Sequence, residues 1–412
     1  MICETSSQWS EENWRSEILQ YQLKARSNLV RNLAEKLEHS GDFPTDTPAK
    51  LCQLIKNTAS ILEKYASSTP ADQLSNVSYF ICAIAEHLRF VERSRTPNTP
   101  WSMIQATELF LKRQAGNDSH FIVRPQWAYN YSLLGDFVET YKTSTATLTW
   151  IPFQEWESLI GDIANEKIYC IAFPRIERLN VLLHANWGHE VGHIIADSWI
   201  KTKFNALWSG AKNRIKARIE KEVRQNPPPV APLFKETIIQ NIVADKMNAT
   251  MEATRQGFKE LICDAIGVHL LGPAALAAAT EFSAAFSLDE SPLSREMYPP
   301  WRYRLRLMAE ACEEDLQEHK KEGASNQTIY PSSVVKPFWI WLAKTKHVTA
   351  IMSDKASLDA EATTREAYKV IEKNWDKVQE EAIRLLPKES SKPYRLFERV
   401  TIIVNFRQNQ EM

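Results

Sequence analysis

Glycine is scarce in this chain, with only 11 glycines among 412 residues. The sequence contains no GxxxxGKS or GxxxxGKT loop, no GxGxxG turn and no GxSxG turn. The first two motifs bring backbone close to nucleotide phosphates, and the third presents the nucleophilic serine of α/β-hydrolases. Their absence argues against P-loop nucleotide hydrolases, Rossmann-type enzymes and α/β-hydrolases.

Cysteine is also sparse, and the spacing of the cysteines does not indicate a disulfide framework. No CxxC pair occurs, so neither a thiolate zinc site nor a set of disulfides is indicated. The thiols are expected to be reduced and mostly buried, as in an intracellular protein. The six cysteines are Cys3, Cys52, Cys82, Cys170, Cys263 and Cys312.

The chain also lacks an excess of either charge, because it has 50 basic and 51 acidic side chains and a net charge of −1. A chain with this balance has no general attraction to a phosphate backbone or an anionic membrane surface. Neither nucleic acid nor a membrane is therefore expected as a partner.

Long apolar runs are absent as well. The most apolar window, from Leu270 to Leu288, contains Glu281 and several small polar residues, so it predicts a buried helix rather than a membrane span. The first residues lack a basic segment followed by an apolar one, so no signal peptide is expected. The cytoplasm is the expected location.

What the chain has in abundance is helical periodicity. Helices are predicted from Glu11 to about His39, from about 48 to 66 and from about 71 to 95. The stretches HFIVRP, ATLTWIPF and KIYCIAFP are short, aromatic and β-branched, and predict a small sheet. The expected fold class is mainly α with a small β-sheet.

One predicted helix, from about Val181 to Trp199, carries an HExxH motif. His189 and His193 lie four residues apart and so share one helix face, where two imidazoles can bind one ion. Glu190 stands beside that face and can reach a water on the metal without being a ligand. Because Gly188 and Gly192 are poor helix formers, the helix is expected to approach a neighbour closely.

A catalytic zinc needs a third protein ligand, and a later helix offers one. A helix is predicted from about Lys235 to Arg255, and another begins at Gly257 and ends near Gly272. On the second of these, Glu260 can supply the third ligand. Asp264, one turn further on, can accept a hydrogen bond from the free ring nitrogen of a ligating histidine.

HExxH followed by ExxxD resembles the gluzincin zinc metallopeptidases, the group that includes thermolysin. The ELxxDxxG form that begins at Glu260 is more similar to the HtpX-type heat-shock proteases and the CAAX prenyl proteases. Those families carry an HPPxxxR segment further on, and this chain has YPPWRYR, with Tyr298 in place of the histidine. Those families are often embedded in membranes, whereas no membrane span is predicted in this chain. Their membrane or prenylated substrates are therefore not carried over to it.

The resemblance covers three short segments between Leu182 and Met308. It implies a zincin-like catalytic domain over residues 118–330, flanked by helical regions at 1–117 and 331–412. It also implies a metalloendopeptidase that acts on protein or peptide substrates. Because no membrane span is predicted, we expect the enzyme to be soluble. A protease that is free in the cytoplasm needs restraint, so we also expect a covered cleft or a regulatory protein partner.

By the same resemblance, zinc is the cofactor and its ligands are His189, His193 and Glu260. Glu190 is implied as the general base that activates the zinc-bound water and then as proton donor to the leaving amine.

Three further roles follow from the resemblance. Asp264 would orient a ligand histidine, and Arg304 would anchor the site. Tyr298 would donate a hydrogen bond to the oxyanion of the tetrahedral intermediate.

Structural roles are expected for His184, which is not on the face of His189, and for His269 and Asp197. Two alternatives to peptide hydrolysis stay open. The chain can be a helical interaction protein with a zinc-bound but inactive site, or it can hydrolyse a non-peptide amide with the same metal.

Overall fold

A computed structural model divides the chain into two compact units, residues 1–179 and 180–412. Both units are built mainly from helices, and the first also contains one small sheet, so the predicted fold class is confirmed. The structure describes residues 11–99, 104, 108, 112, 116, 118–161, 163, 165–180, 182–229, 234–286, 288–289, 298–322, 332–351 and 362–386.

The first unit opens with three helices whose bounds lie within a few residues of the predicted ones. Their apolar faces form a shared core that includes Leu23, Leu54 and Ile81. Two shorter helices follow the first strands, and the first of these is capped by Asp136, whose carboxylate accepts the Val138 N–H. The helices are α1 (Glu11–Glu38), α2 (Thr47–Tyr65), α3 (Leu74–Arg93), α4 (Phe137–Ala146) and α5 (Phe153–Ile160).

The sheet of the first unit has three strands, β1 (Ser119–Gln126), β2 (Ser132–Leu134) and β3 (Lys167–Pro174). The middle strand is β3, which runs parallel to β1 and antiparallel to β2. The stretches HFIVRP and KIYCIAFP lie in β1 and β3, so their prediction as strands is confirmed. Both strands are almost wholly buried, which suits the apolar run of β3, whereas β1 also buries Arg124.

The third predicted strand, ATLTWIPF, is wrong. It runs from Ala146, the last residue of α4, to Phe153, the first residue of α5, and the residues between them form turns rather than a strand. Leu148 and Ile151 are buried there three residues apart, which is a turn spacing and not the alternation of a strand. Packing of two apolar side chains has overridden the β propensity of the threonines.

A histidine lies within the aromatic core of the first unit. The His87 ring lies 4.5 Å from the Phe137 ring, and its Nδ1 is 3.1 Å from the Tyr141 hydroxyl. Burial disfavours the imidazolium and lowers the pKa of His87 to about 4. The folded chain therefore keeps His87 neutral at a pH where the unfolded chain, with an ordinary histidine pKa, takes up a proton.

We expect this group to make the first unit less stable in mild acid. Because the folded pKa lies below the unfolded one, its stabilisation is complete at neutral pH and is lost as the pH falls from about 6.5 towards 4. The loss between pH 7 and pH 5 is about 2 kcal/mol. Urea unfolding of the full chain, followed by hydrogen exchange in α3, measures it. His87→Phe should reduce this loss, and an unchanged pH dependence in that variant would contradict the assignment.

The second unit consists of helices and their connecting segments, with no strand among its described residues. A five-residue π-helical turn, Ile200–Phe204, joins its first two helices without a break. Its helices are α6 (Trp187–Trp199), α7 (Asn205–Gln225), α8 (Lys235–Leu271), α9 (Pro273–Ser283), α10 (Trp301–Glu322), α11 (Ser332–Ile351) and α12 (Ala362–Ile383).

The long helix α8 is unbroken, so the prediction of two helices separated near Gly257 is wrong. A glycine inside a helix costs only about 1 kcal/mol relative to alanine, and tertiary contact outweighs it here. A Cβ on Gly257 would lie 2.5 Å from Cδ1 of Ile371 in α12. Gly257 therefore allows α12 to pack against an unbroken helix.

The boundary between the compact units follows Leu179, so the sheet belongs to the first unit and the HExxH helix to the second. The division into an N-terminal region, a catalytic domain at 118–330 and a C-terminal region stays a prediction. Within the described residues, no helix combines the length and apolar character that crossing a bilayer requires.

Candidate metal centre

The centre is built on two helices whose backbones touch. A Cβ on Gly192 of α6 would lie 2.6 Å from Cα of Cys263 in α8, and one on Gly188 would lie 3.2 Å from Cα of Gly267. A Cβ on Gly267 would in turn lie 3.2 Å from the backbone nitrogen of His189. The glycines that weaken α6 as a helix therefore let α8 reach its histidine face, in agreement with the predicted close approach.

Replacing Gly192 by alanine is expected to destabilise the second unit by about 1–3 kcal/mol, because backbone atoms of α8 occupy the place of the new methyl group. It should also weaken zinc binding by forcing the two helices apart. Gly210 of α7 is the matched control, since a Cβ there meets nothing within 4 Å. Gly210→Ala should be neutral or stabilise by up to about 1 kcal/mol. Thermal unfolding and zinc titration of both variants test this, and equal behaviour would contradict it.

His189 and His193 lie one turn apart on α6, with ring centroids 5.1 Å apart and ring planes nearly perpendicular. Their side chains are 16% and 20% exposed. Both imidazoles are thus held in place by protein and are still reachable from solvent. A catalytic metal site needs this access, because its open position exchanges water and substrate.

The helix α8 brings two carboxylates to His189. Glu260 Oε2 lies 3.5 Å from Nε2 of the ring, and Asp264 Oδ1 lies 2.8 Å from Nδ1. Because an ionised carboxylate only accepts hydrogen bonds, Nδ1–H donates to Asp264 and Nε2 faces Glu260. This is the ring orientation that was predicted for a ligating histidine with Asp264 behind it.

Arg304 of α10 fixes the carboxylates. It donates two hydrogen bonds to Asp264, Nε to Oδ2 at 2.7 Å and Nη2 to Oδ1 at 2.8 Å, and its Nη1 lies 3.5 Å from Glu260 Oε2. The guanidinium also lies over the Trp301 ring, 4.1 Å from its centroid. Arg304 therefore stands where an anchoring residue was predicted.

Two cationic and two anionic side chains form a buried set whose charges neutralise one another. They are His189, Arg304, Glu260 and Asp264. Burial disfavours every charge in it, but the attraction between His189 and the carboxylates outweighs burial and raises the pKa of His189 to about 10. For Glu260 too, burial is outweighed by His189 and Arg304, and its pKa falls to about 2. The pKa of Asp264 is held well below its usual range by Arg304 and His189 despite burial. A cation at Nε2 of His189 would take the place of its proton.

His193 differs from His189 in charge. Burial and the neighbouring His189 charge lower the pKa of His193 to about 4, so its ring is neutral at pH 7. Glu190, on the same helix and only 5% exposed, places Oε2 3.9 Å from Nε2 of this ring. The predicted base thus lies on the side of His193 from which a ligand nitrogen would point.

One residue near the histidines was not predicted as part of the site. The donor atoms of His189, His193 and Cys263 lie within 4.8 Å of one another, close enough to hold a metal ion. From the sequence, Cys263 was expected only to be a buried thiol. The available signal was its position three residues after Glu260, which puts both residues on the same face of α8.

Tyr298 lies in the irregular segment before α10 and is partly exposed. The next residue, Pro299, packs beside α8 one turn before Glu260, 3.9 Å from where a Cβ of Gly257 would stand. This brings the YPP segment to the helix that carries Glu260. The contact of Tyr298 with a transition state stays a prediction.

Structural roles were predicted for His184, Asp197 and His269. His184 is buried and stacks on Trp187, with centroids 4.7 Å apart. Asp197, one turn beyond His193, forms an ion pair with Lys259 at 2.8 Å. His269 lies on α8 and is partly buried.

The donor atoms that lie within 4.8 Å of one another are those of His189, His193 and Cys263, and Glu260 Oε2 lies 3.5 Å from Nε2 of His189. Two imidazole nitrogens and one carboxylate oxygen are a known ligand combination for catalytic zinc, which keeps its fourth position for water or substrate. Asp264 behind His189 supplies the outer hydrogen bond that such sites use to orient a ligand.

The chain matches no protein-family model, no curated protein and no solved structure.

Proposed function

We propose that the chain is a zinc-dependent metalloendopeptidase of the gluzincin type. His189, His193 and Glu260 hold the ion, and Glu190 is the general base. The observation that carries the proposal is the 3.5 Å approach of Glu260 to Nε2 of His189, together with the Asp264 contact that holds Nδ1 and turns Nε2 towards Glu260. Bound zinc would supply a Lewis acid that acidifies a water and polarises the scissile carbonyl.

The residues of the chain then perform the proton transfers. Glu190 takes a proton from the water that attacks the peptide carbon, and the C–N bond breaks as Glu190 returns that proton to the leaving amine. Proton uptake and release balance, so no other acid is needed for one turnover. Tyr298 would donate its phenolic hydrogen bond to the developing oxyanion.

Arg304 and Asp264 support this chemistry by preorganisation. Two hydrogen bonds hold the Asp264 carboxylate, which holds the His189 ring, so the ligand geometry does not have to form anew in each catalytic cycle. A cytoplasmic location belongs to the same proposal. It is supported by the five described cysteines, all of which are free thiols.

The proposal is tested with the purified full-length chain and a peptide library read by mass spectrometry. We expect one zinc per chain, cleavage of internal peptide bonds, loss of cleavage with a chelator and recovery on adding zinc. One zinc per chain without turnover would favour the inactive zinc-binding protein. Cleavage of small amides but of no peptide would favour the non-peptide amidase. Cleavage that survives removal of the metal would refute a zinc mechanism.

A further inference from the structure

The two histidines of the centre differ in what stands behind them. Nδ1 of His189 faces a carboxylate, whereas Nδ1 of His193 lies 3.2 Å from Sγ of Cys263. Cys263 is fully buried, and its backbone is pressed against Gly192, one residue before His193. The close helix contact that builds the site therefore also places Cys263 beside His193.

The nitrogen of His193 that faces a cation decides what this contact does. A neutral imidazole has one N–H and one lone pair. If Nε2 binds the cation, the proton must be on Nδ1, which then needs an acceptor in a buried place. Sulfur is a weak acceptor, and the distance of 3.2 Å is within hydrogen-bond range for a sulfur atom.

We propose that Cys263 is a positioning residue for His193, accepting the Nδ1–H hydrogen bond and so turning Nε2 towards the metal. The proposal rests on the zinc site proposed above. It assigns Cys263 a role behind a ligand and not that of a ligand, because its sulfur contacts Nδ1 while Glu190 is near Nε2. The histidines thus become unlike ligands, one supported by a carboxylate and the other by a neutral thiol.

An apolar residue at this position would still fill space but would leave Nδ1–H without its acceptor. Losing the hydrogen-bond partner of a metal ligand typically lowers metal affinity 10–100-fold. Serine keeps an acceptor at this point of α8, so it should preserve affinity where alanine does not. Cys312, a buried thiol on α10, provides a control for removing a thiol elsewhere in the same unit.

The experiment measures zinc affinity by chelator competition at fixed pH in the full-length chain and in Cys263→Ala, Cys263→Ser and Cys312→Ala. We expect affinity to fall about 10–100-fold in Cys263→Ala and to stay within about threefold in the other two variants. Thermal unfolding of the metal-free proteins shows whether each variant is folded. Affinity unchanged in Cys263→Ala, or lowered equally by alanine and serine, would overturn the proposal.

Cobalt substitution separates positioning from direct ligation. A thiolate bound to cobalt gives a charge-transfer band in the near ultraviolet, and we expect the wild-type cobalt protein to lack it. A band that is present in wild type and lost in Cys263→Ser would make Cys263 a ligand and overturn the positioning role. A wild-type chain that binds no zinc would defeat the proposed function as well. Peptide cleavage with an unaffected Cys263→Ala would defeat only this inference.

Discussion

Replacing Glu190 by glutamine is expected to lower the turnover of a cleaved peptide by about a thousandfold, within the range that general acid–base catalysis contributes. Glutamine has nearly the same shape as glutamate but accepts no proton from an attacking water. Because Glu190 is not among the proposed ligands, the variant should keep one zinc per chain. Measured kcat and zinc content together test this, and near-normal turnover would remove Glu190 from the mechanism.

The matched control for this prediction is Asp197→Asn. Asp197 is also a carboxylate on α6, but it is 55% exposed and is paired with Lys259. Its neutralisation should change turnover less than about threefold, since exposed ion pairs contribute little. A large loss in this variant would mean that any carboxylate near the histidines matters, and the base could no longer be assigned to Glu190.

Replacing Arg304 by methionine is expected to destabilise the second unit by about 3–5 kcal/mol. The change leaves the buried carboxylates of Asp264 and Glu260 with His189 as their only shared cation, so the set carries one uncompensated negative charge. An uncompensated buried charge is among the most destabilising changes known for single residues. Urea unfolding of the metal-free chain, read by hydrogen exchange in α6 and α8, gives the magnitude.

Two further variants show what Arg304 contributes. Arg306 lies on the same helix and is more exposed, 3.7 Å from Glu310, so Arg306→Met should change stability by less than about 1 kcal/mol. Arg304→Lys keeps the charge but not the two-pronged geometry, and it should restore part of the stability. The buried network would lose its assigned role if Arg304→Met were as stable as Arg306→Met.

Much of this centre could be predicted from the sequence because helical spacing is regular. Four-residue separations placed His189 with His193 and Glu260 with Asp264 on single helix faces, and the structure brings the two faces together. The glycines of α6 indicated a close neighbour, although pattern alone did not identify α8 as that neighbour. Arg304 was predicted from the resemblance, and the structure gives it specific partners.

What the sequence missed depends on tertiary contact. The break predicted at Gly257 is absent because α12 needs the space that a side chain would fill. The strand predicted at ATLTWIPF is a turn because Leu148 and Ile151 are buried in it. Cys263 looked like an ordinary core thiol, and only the contact between α6 and α8 shows that it faces His193.

The most direct test of the metal centre is a crystal of the zinc-loaded chain measured on both sides of the zinc absorption edge. We predict one anomalous peak per chain, bound by Nε2 of His189, Nε2 of His193 and a Glu260 oxygen, with Cys263 sulfur outside the coordination sphere. A peak elsewhere, or none between α6 and α8 at saturating zinc, would contradict the account.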